Sequence, residues 1–146
     1  MSSTVIYDSN RQEFMQKVTA VCWLSKVGYF GLYALIVLWQ GVLSPHPHVS
    51  SLWLTVLWLV PLLFPLRGII ANNPYTHAWS TFIALLYLMH GCVQIYVEPA
   101  ERWLAFIEIV LVSCWLVGSI LFARWRGKQL GLGLKKRNNA KPSSDQ

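Results

Sequence analysis

Four long apolar stretches, at about 20–43, 52–66, 78–97 and 103–125, fill most of this 146-residue chain. A helix needs roughly 20 mainly apolar residues to cross the hydrocarbon core of a bilayer. Three of the stretches reach or approach that length, and the second is shorter. In hydrocarbon the backbone polar groups must be satisfied within the protein, which favours helices for such segments. The expected fold is therefore all-α: a polytopic membrane protein with four transmembrane helices.

Composition argues against a soluble protein carrying one greasy anchor. Hydrophobic residues make up 55% of the chain and charged residues only 12%, against about 25% charged in a soluble domain. The reading divides the chain into a polar arm (1–19), a four-helix transmembrane domain (20–126) and a basic, disordered tail (127–146). The tail is too short to bury a core of its own. The first apolar run starts after the polar arm and is longer than the core of a signal peptide, so it reads as a retained span. The net charge of +6 comes from lysines and arginines beside the spans, where anionic lipid headgroups explain them. No basic-aromatic module for nucleic acid is visible. Cys22, Cys92 and Cys114 all fall within spans, without metal-ligand spacing, and read as small, buried, reduced thiols.

Proline and charge mark the turns. The first span stops at Ser44-Pro45-His46-Pro47-His48, since proline cannot continue a helix. His46 and His48 lack a third metal ligand and read as an exposed turn. The second span carries Pro61 and Pro65 and is expected to end at Pro65-Leu66-Arg67-Gly68. Asn72-Asn73-Pro74 is a turn signal, with Thr76 a candidate cap for the third span. The third span ends near Glu98-Pro99, so spans three and four should form a tight antiparallel hairpin. Arg11 and Lys17, Arg67, and the cluster from Arg124 onward all fall on one side of a four-span topology. The other two turns carry only Arg102. The positive-inside bias therefore places both termini in the cytoplasm, N-in and C-in. Trp23, Trp39, Trp53, Trp79, Trp103 and Trp125 lie near span ends, as an aromatic belt requires. Trp58 and Trp115 lie deeper and read as packing residues. Gly28, Gly31, Ala34, Gly91 and Gly118 place small residues where helices can approach closely.

Ionisable groups inside a span are costly and become functional hypotheses by default. Lys26 is near enough to its helix end to snorkel to the headgroups. His90 and Glu108 differ in depth by only about 5 Å on neighbouring helices, so a contact between them is plausible. Tyr87 and Gln94 share the helical face of His90, and Gln40 lies at a similar depth. These five residues, Gln40, Tyr87, His90, Gln94 and Glu108, form the candidate intramembrane polar cluster. It is an interhelical clamp, a proton or ligand site, or an accidental proximity of polar side chains. No catalytic constellation, metal site or cofactor motif is apparent, and no internal repeat suggests an inverted-repeat transporter.

The stretches Pro61-Leu-Leu-Phe-Pro-Leu-Arg-Gly68, Asn73-Pro-Tyr-Thr-His-Ala-Trp79, Glu101-Arg-Trp-Leu-Ala105 and Ala123-Arg-Trp-Arg126 together resemble a family of small proteobacterial inner-membrane proteins, catalogued as domain of unknown function two-oh-six-nine. The resemblance covers roughly Val18 to Arg126 and implies a four-span protein of a bacterial inner (plasma) membrane, without a known activity. Its motifs place Arg67, Tyr75, Thr76, His77 and Trp79 on the cytoplasmic side, as candidates for docking a lipid headgroup or a partner. The functional expectation is a non-enzymatic accessory protein, packed against another membrane protein or a second copy of itself. The alternative is a small proton-coupled transporter or channel subunit that works as an oligomer.

Overall fold

The structure is a computed structural model that describes residues 2–43 and 51–131, with side chains from 7 and from 52 onward in the two segments. The described chain is helical and contains no strand: α1 (Ser2–Leu38), a π-helical continuation (Trp39–Leu43), α2 (Ser51–Ile70), α3 (Pro74–Val97), a 3-10 turn (Pro99–Glu101) and α4 (Arg102–Gln129). Four helices are long and apolar enough to cross a membrane. α4 is the central element. It packs along both α1 and α3, while α2 lies more lightly against α1 and α3.

Glycine lets α1 and α4 come together. A methyl group on Gly28 would sit 2.5 Å from the Trp115 nitrogen and 2.6 Å from the Leu111 carbonyl oxygen. One on Gly118 would meet the Ser25 nitrogen at 2.6 Å. Backbone therefore touches backbone at two levels of the same helix pair, which is how membrane helices gain dispersion contact without a hydrophobic drive. Trp115, at the level of Gly28, is fully buried and edge-on to Tyr29 with ring centroids 5.1 Å apart. Gly91 plays the same part between α3 and α4, where a methyl group would press on Ile109. Ala34, by contrast, faces outward.

The boundaries differ from the sequence reading in three respects, the first of which concerns both α1 and α4. The polar arm is not separate from the first span, because α1 runs without a break from Ser2. At ~1.5 Å per residue a helix of 37 residues is about 55 Å long, well beyond a hydrocarbon core of ~30 Å. The arm has no proline or glycine to stop propagation, and it rests on α4: Phe14 meets Trp125 at 6.1 Å, and the Gln129 side chain reaches Met15. α4 likewise continues past the expected end at Trp125 to Gln129. The expected disorder of the rest of the tail, and the turn holding His46 and His48, lie outside the described residues.

The second boundary is in α2, which passes through Pro61, Pro65 and Gly68 to Ile70 instead of ending at Leu66. Each proline removes a backbone donor. Two tyrosine hydroxyls donate into the same stretch, Tyr87 to the Trp58 carbonyl and Tyr29 to the Leu62 carbonyl. Each accepting carbonyl lies three residues before a proline, next to the Leu57 or Pro61 carbonyl that the proline leaves without its helical donor.

The third is the start of α3. Asn73, not Thr76, caps the helix: its side chain accepts the Tyr75 N–H at 3.0 Å, and Pro74 occupies the first helical position, where no donor is missed. Asn72 before it takes a φ of 54°, a left-handed conformation that asparagine tolerates. Thr76 instead turns inward against Gly68, where any side chain would collide with it.

The glycine contacts give a graded prediction. Gly28→Ala drives a methyl group into backbone and is expected to destabilise the bundle by about 1–3 kcal/mol. Gly31→Ala meets only the Leu111 side chain, which can shift, and should cost less than half as much. Gly41→Ala, with open space around it, should be neutral. Unfolding titrations in mixed micelles would rank the three.

Candidate functional site

The hairpin of α3 and α4 delivers His90 and Glu108 to one another. Nδ1 of His90 stands 3.0 Å from both oxygens of the Glu108 carboxyl group. Glu108 is fully buried, and the His90 side chain is 15% exposed. The pair is walled by aromatics: the Trp58 ring lies 4.1 Å from the imidazole and the Trp39 ring 5.9 Å. At this distance the ring nitrogen and the carboxyl group can hydrogen-bond, and shielding from water strengthens such a bond.

Of the other members expected in this cluster, Gln40 is buried at the end of α1 and Tyr87 is buried on α3. The Tyr87 hydroxyl is committed to Trp58, which stacks on His90, so it supports the site from behind. Gln94 is half-buried on α3, without a side-chain hydrogen bond to the pair. The cluster is therefore tighter than its sequence outline: a His90–Glu108 centre in an aromatic housing.

Trp39 departs from the aromatic-belt reading. It is 1% exposed, and its indole N–H donates to a Glu101 carboxyl oxygen at 2.7 Å. Glu101 thus ties the outer end of α1 to the turn between α3 and α4. The π-helical widening that begins at Trp39 accompanies this inward placement, as π-turns often do beside functional sites. Trp23, Trp53 and Trp103 are well exposed, as the belt requires.

A second polar cluster, absent from the sequence reading, lies toward the end where α1 begins and α4 ends. Ser25 of α1 and Ser119 of α4 place their hydroxyl oxygens 2.8 Å apart, and Nδ1 of His77 on α3 lies 3.3 Å from the first and 3.1 Å from the second. All three side chains are fully buried. Nε2 of His77 has no hydrogen-bond partner among the described residues, and the ring packs on Phe122 at 4.6 Å. The signal was present as serines beside Gly118 and three residues before Gly28. Small residues at a helix contact let short hydroxyls meet across it.

This placement divides the candidate docking group. Arg67 and Tyr75 are exposed and Trp79 is half-buried, but Thr76 and His77 face the interior. Thr76 and His77 are therefore part of the packing and not of a docking surface. The three cysteines are free. Cys92 is exposed rather than buried, and Cys22 donates its thiol to the Asn72 side chain at 3.0 Å. Among the described residues no group of three or more His, Cys, Asp and Glu side chains is placed to hold a metal ion.

The match to known families falls across these same elements. Residues 24–127 match the family model described as Predicted membrane protein (DUF2069), well over half of the chain. The chain belongs to this DUF2069 family. No curated protein and no solved structure matches it. The matched region holds both polar clusters, the whole of α2 and α3, most of α4 and the second part of α1.

Substitutions at the outer pair should separate acceptor from charge. Glu108→Gln keeps an oxygen acceptor for His90 and is expected to cost about 1 kcal/mol or less. Glu108→Ala leaves a ring nitrogen unpaired beside a cavity and should cost roughly 1–3 kcal/mol. Thermal unfolding in a mild detergent would read the difference.

Proposed function

We propose that this DUF2069 protein is a non-enzymatic accessory protein of a bacterial inner membrane, with both ends in the cytoplasm. It packs laterally against a membrane-protein partner or a second copy of itself, and its basic segments hold anionic lipid. The observation that carries this reading is the closure of the His90–Glu108 pair. Both carboxyl oxygens face one imidazole nitrogen, Glu108 has no exposed surface, and indole rings cover the histidine. A group that must exchange protons or bind a passing solute needs a path to water. A group that clamps two helices needs the reverse. The exposed Arg67 and Tyr75, at a turn fixed by the Asn73 cap, offer a rigid docking point on the side assigned to the cytoplasm.

The second reading, a proton-coupled transporter or channel subunit, is favoured by one feature. The His90 side chain keeps 15% of its surface open, and a histidine–glutamate pair can hand on a proton. Proteoliposomes carrying a pH-sensitive dye distinguish the two. The accessory reading expects no protein-dependent proton flux, and no difference between wild type and Glu108→Gln. Flux abolished by Glu108→Gln in a protein that still elutes as folded would establish the transporter instead. In parallel, a photo-cross-linker at Tyr75 should give one discrete adduct in native membranes, and Arg67→Gln should weaken it severalfold.

A further inference from the structure

A cavity of about 260 Å³ opens between α1 and the final turns of α4, beside the turn that joins α2 to α3. Lys26 and Arg126 line it together with Thr19, Asn72, Trp23 and Phe122. Two cations thus converge on one cavity lined by no carboxylate. Among the described residues neither cation lies within ion-pair distance of an acid, for the described ion pairs are Lys17–Glu13 and His90–Glu108. Lys26 is only half-buried, with Nζ 5.9 Å from the Trp23 ring. Arg126 spends one N–H on Gln129 at 2.9 Å, which leaves most of its five donors for another acceptor. A second cavity, holding Arg11 and Phe14, shares Met15, Arg126 and Gln129 with the first. The groove therefore continues along α1 toward a third cation, and α1's acids Asp8 and Glu13 line neither cavity.

We infer that this groove is a binding site for the phosphate headgroup of an anionic bilayer lipid, with Lys26 and Arg126 as its ligating cations. Unneutralised lysine and arginine side chains select an anion, and the guanidinium fork matches phosphate oxygens. Depth selects a lipid over a soluble anion. The exposed Trp23 marks headgroup level, and Lys26 is one turn deeper along the same helix, about 4.5 Å. Size agrees: the cavity is below the ~300–1,000 Å³ of sites that enclose a whole soluble ligand, but a headgroup needs to seat only its phosphate. The apolar walls, Trp23 and Phe122, suit the glycerol and upper acyl region. Phe122 also stacks on His77, so the lipid site and the inner Ser25–His77–Ser119 cluster share a wall.

The test is retention of phosphatidylglycerol against phosphatidylcholine of the same chain length, read by native mass spectrometry of the full-length protein released from mixed vesicles. With each cation near the surface contributing about fivefold, Lys26→Gln and Arg126→Gln should each lower selective retention by about that factor, and the double variant by roughly 30-fold. Lys17→Gln and Lys128→Gln, whose side chains line neither cavity, should leave it unchanged. Thr19→Trp, which fills the cavity without altering charge, should lower it as the cation variants do. Equal loss in the Lys17 and Lys128 variants would show diffuse attraction to the basic surface and overturn the site. So would undiminished retention in the two single variants, which decide the matter where the double variant fails to fold. Displacement of the lipid by millimolar inorganic phosphate would reassign the site to a soluble anion and overturn the lipid assignment.

Discussion

The backbone contact between α1 and α4 is the constraint on which the rest of the bundle depends. Gly28 and Gly118 remove the side chains that would hold the two helices apart. Once the helices meet, Ser25 and Ser119 are close enough to bond across the contact. The buried His77 then has two hydroxyls at its Nδ1, and α3 is held to the same seam. Trp115 packs on Tyr29 at the level of Gly28, and Tyr29 in turn supplies a hydroxyl to the proline-bearing helix α2. A chain of three dependencies thus leads from two missing side chains to the seating of every long helix. In a bilayer that chain is built from contact and hydrogen bonding, since lipid tails offer no hydrophobic reason for helices to associate.

The number of spans, the hairpin of α3 and α4 and the His90–Glu108 contact were all legible in the sequence. Length, turn residues and a count of helix rise are enough for those. The ends of helices were less legible, for a physical reason in each case. Hydropathy marks where a helix leaves hydrocarbon, not where its hydrogen-bond ladder stops, so α1 and α4 both outrun their apolar windows. Pro61 and Pro65 read as an approaching end because sequence alone does not reveal Tyr29 and Tyr87 waiting on other helices. Trp39 sits in a belt position by count, yet an acid across the bundle draws its indole inward. The Ser25–His77–Ser119 cluster left only a faint signal, its serines beside the contact glycines, because its members lie 52 and 42 residues apart and serine in a span is common.

The segments that carry the family resemblance gain a physical account. In Asn73-Pro74-Tyr75-Thr76-His77, the asparagine caps, the proline occupies the first turn, the threonine packs on Gly68 and the histidine closes the serine pair. Only Tyr75 is left to face outward. In Glu101-Arg102, the acid holds Trp39 and the arginine Nε donates to the Ile95 carbonyl at 3.3 Å, which secures the tight turn. Trp125 in the last segment rests on Phe14 of the long first helix. Most of these side chains build the bundle, so a motif that suggests a binding site in one dimension is largely a set of joints in three. Arg67, Tyr75, Phe64, Trp103 and Arg124 are exposed, and Arg126 partly so, which leaves them surface to offer a partner or a lipid.

The polar groups of the bundle accordingly fall into two kinds, set by what surrounds them. At the end where α3 turns into α4, Glu108 and His90 face each other beside two indole rings, so each has its partner within the bundle. At the other end Lys26 and Arg126 line an open groove that holds no acid among the described residues. Paired with carboxylates, the two cations would leave that groove neutral. Unpaired, they leave it a place for an anion, and a bilayer phosphate seated there as proposed would lie against Phe122, whose ring packs on His77 beside the contact of α1 with α4.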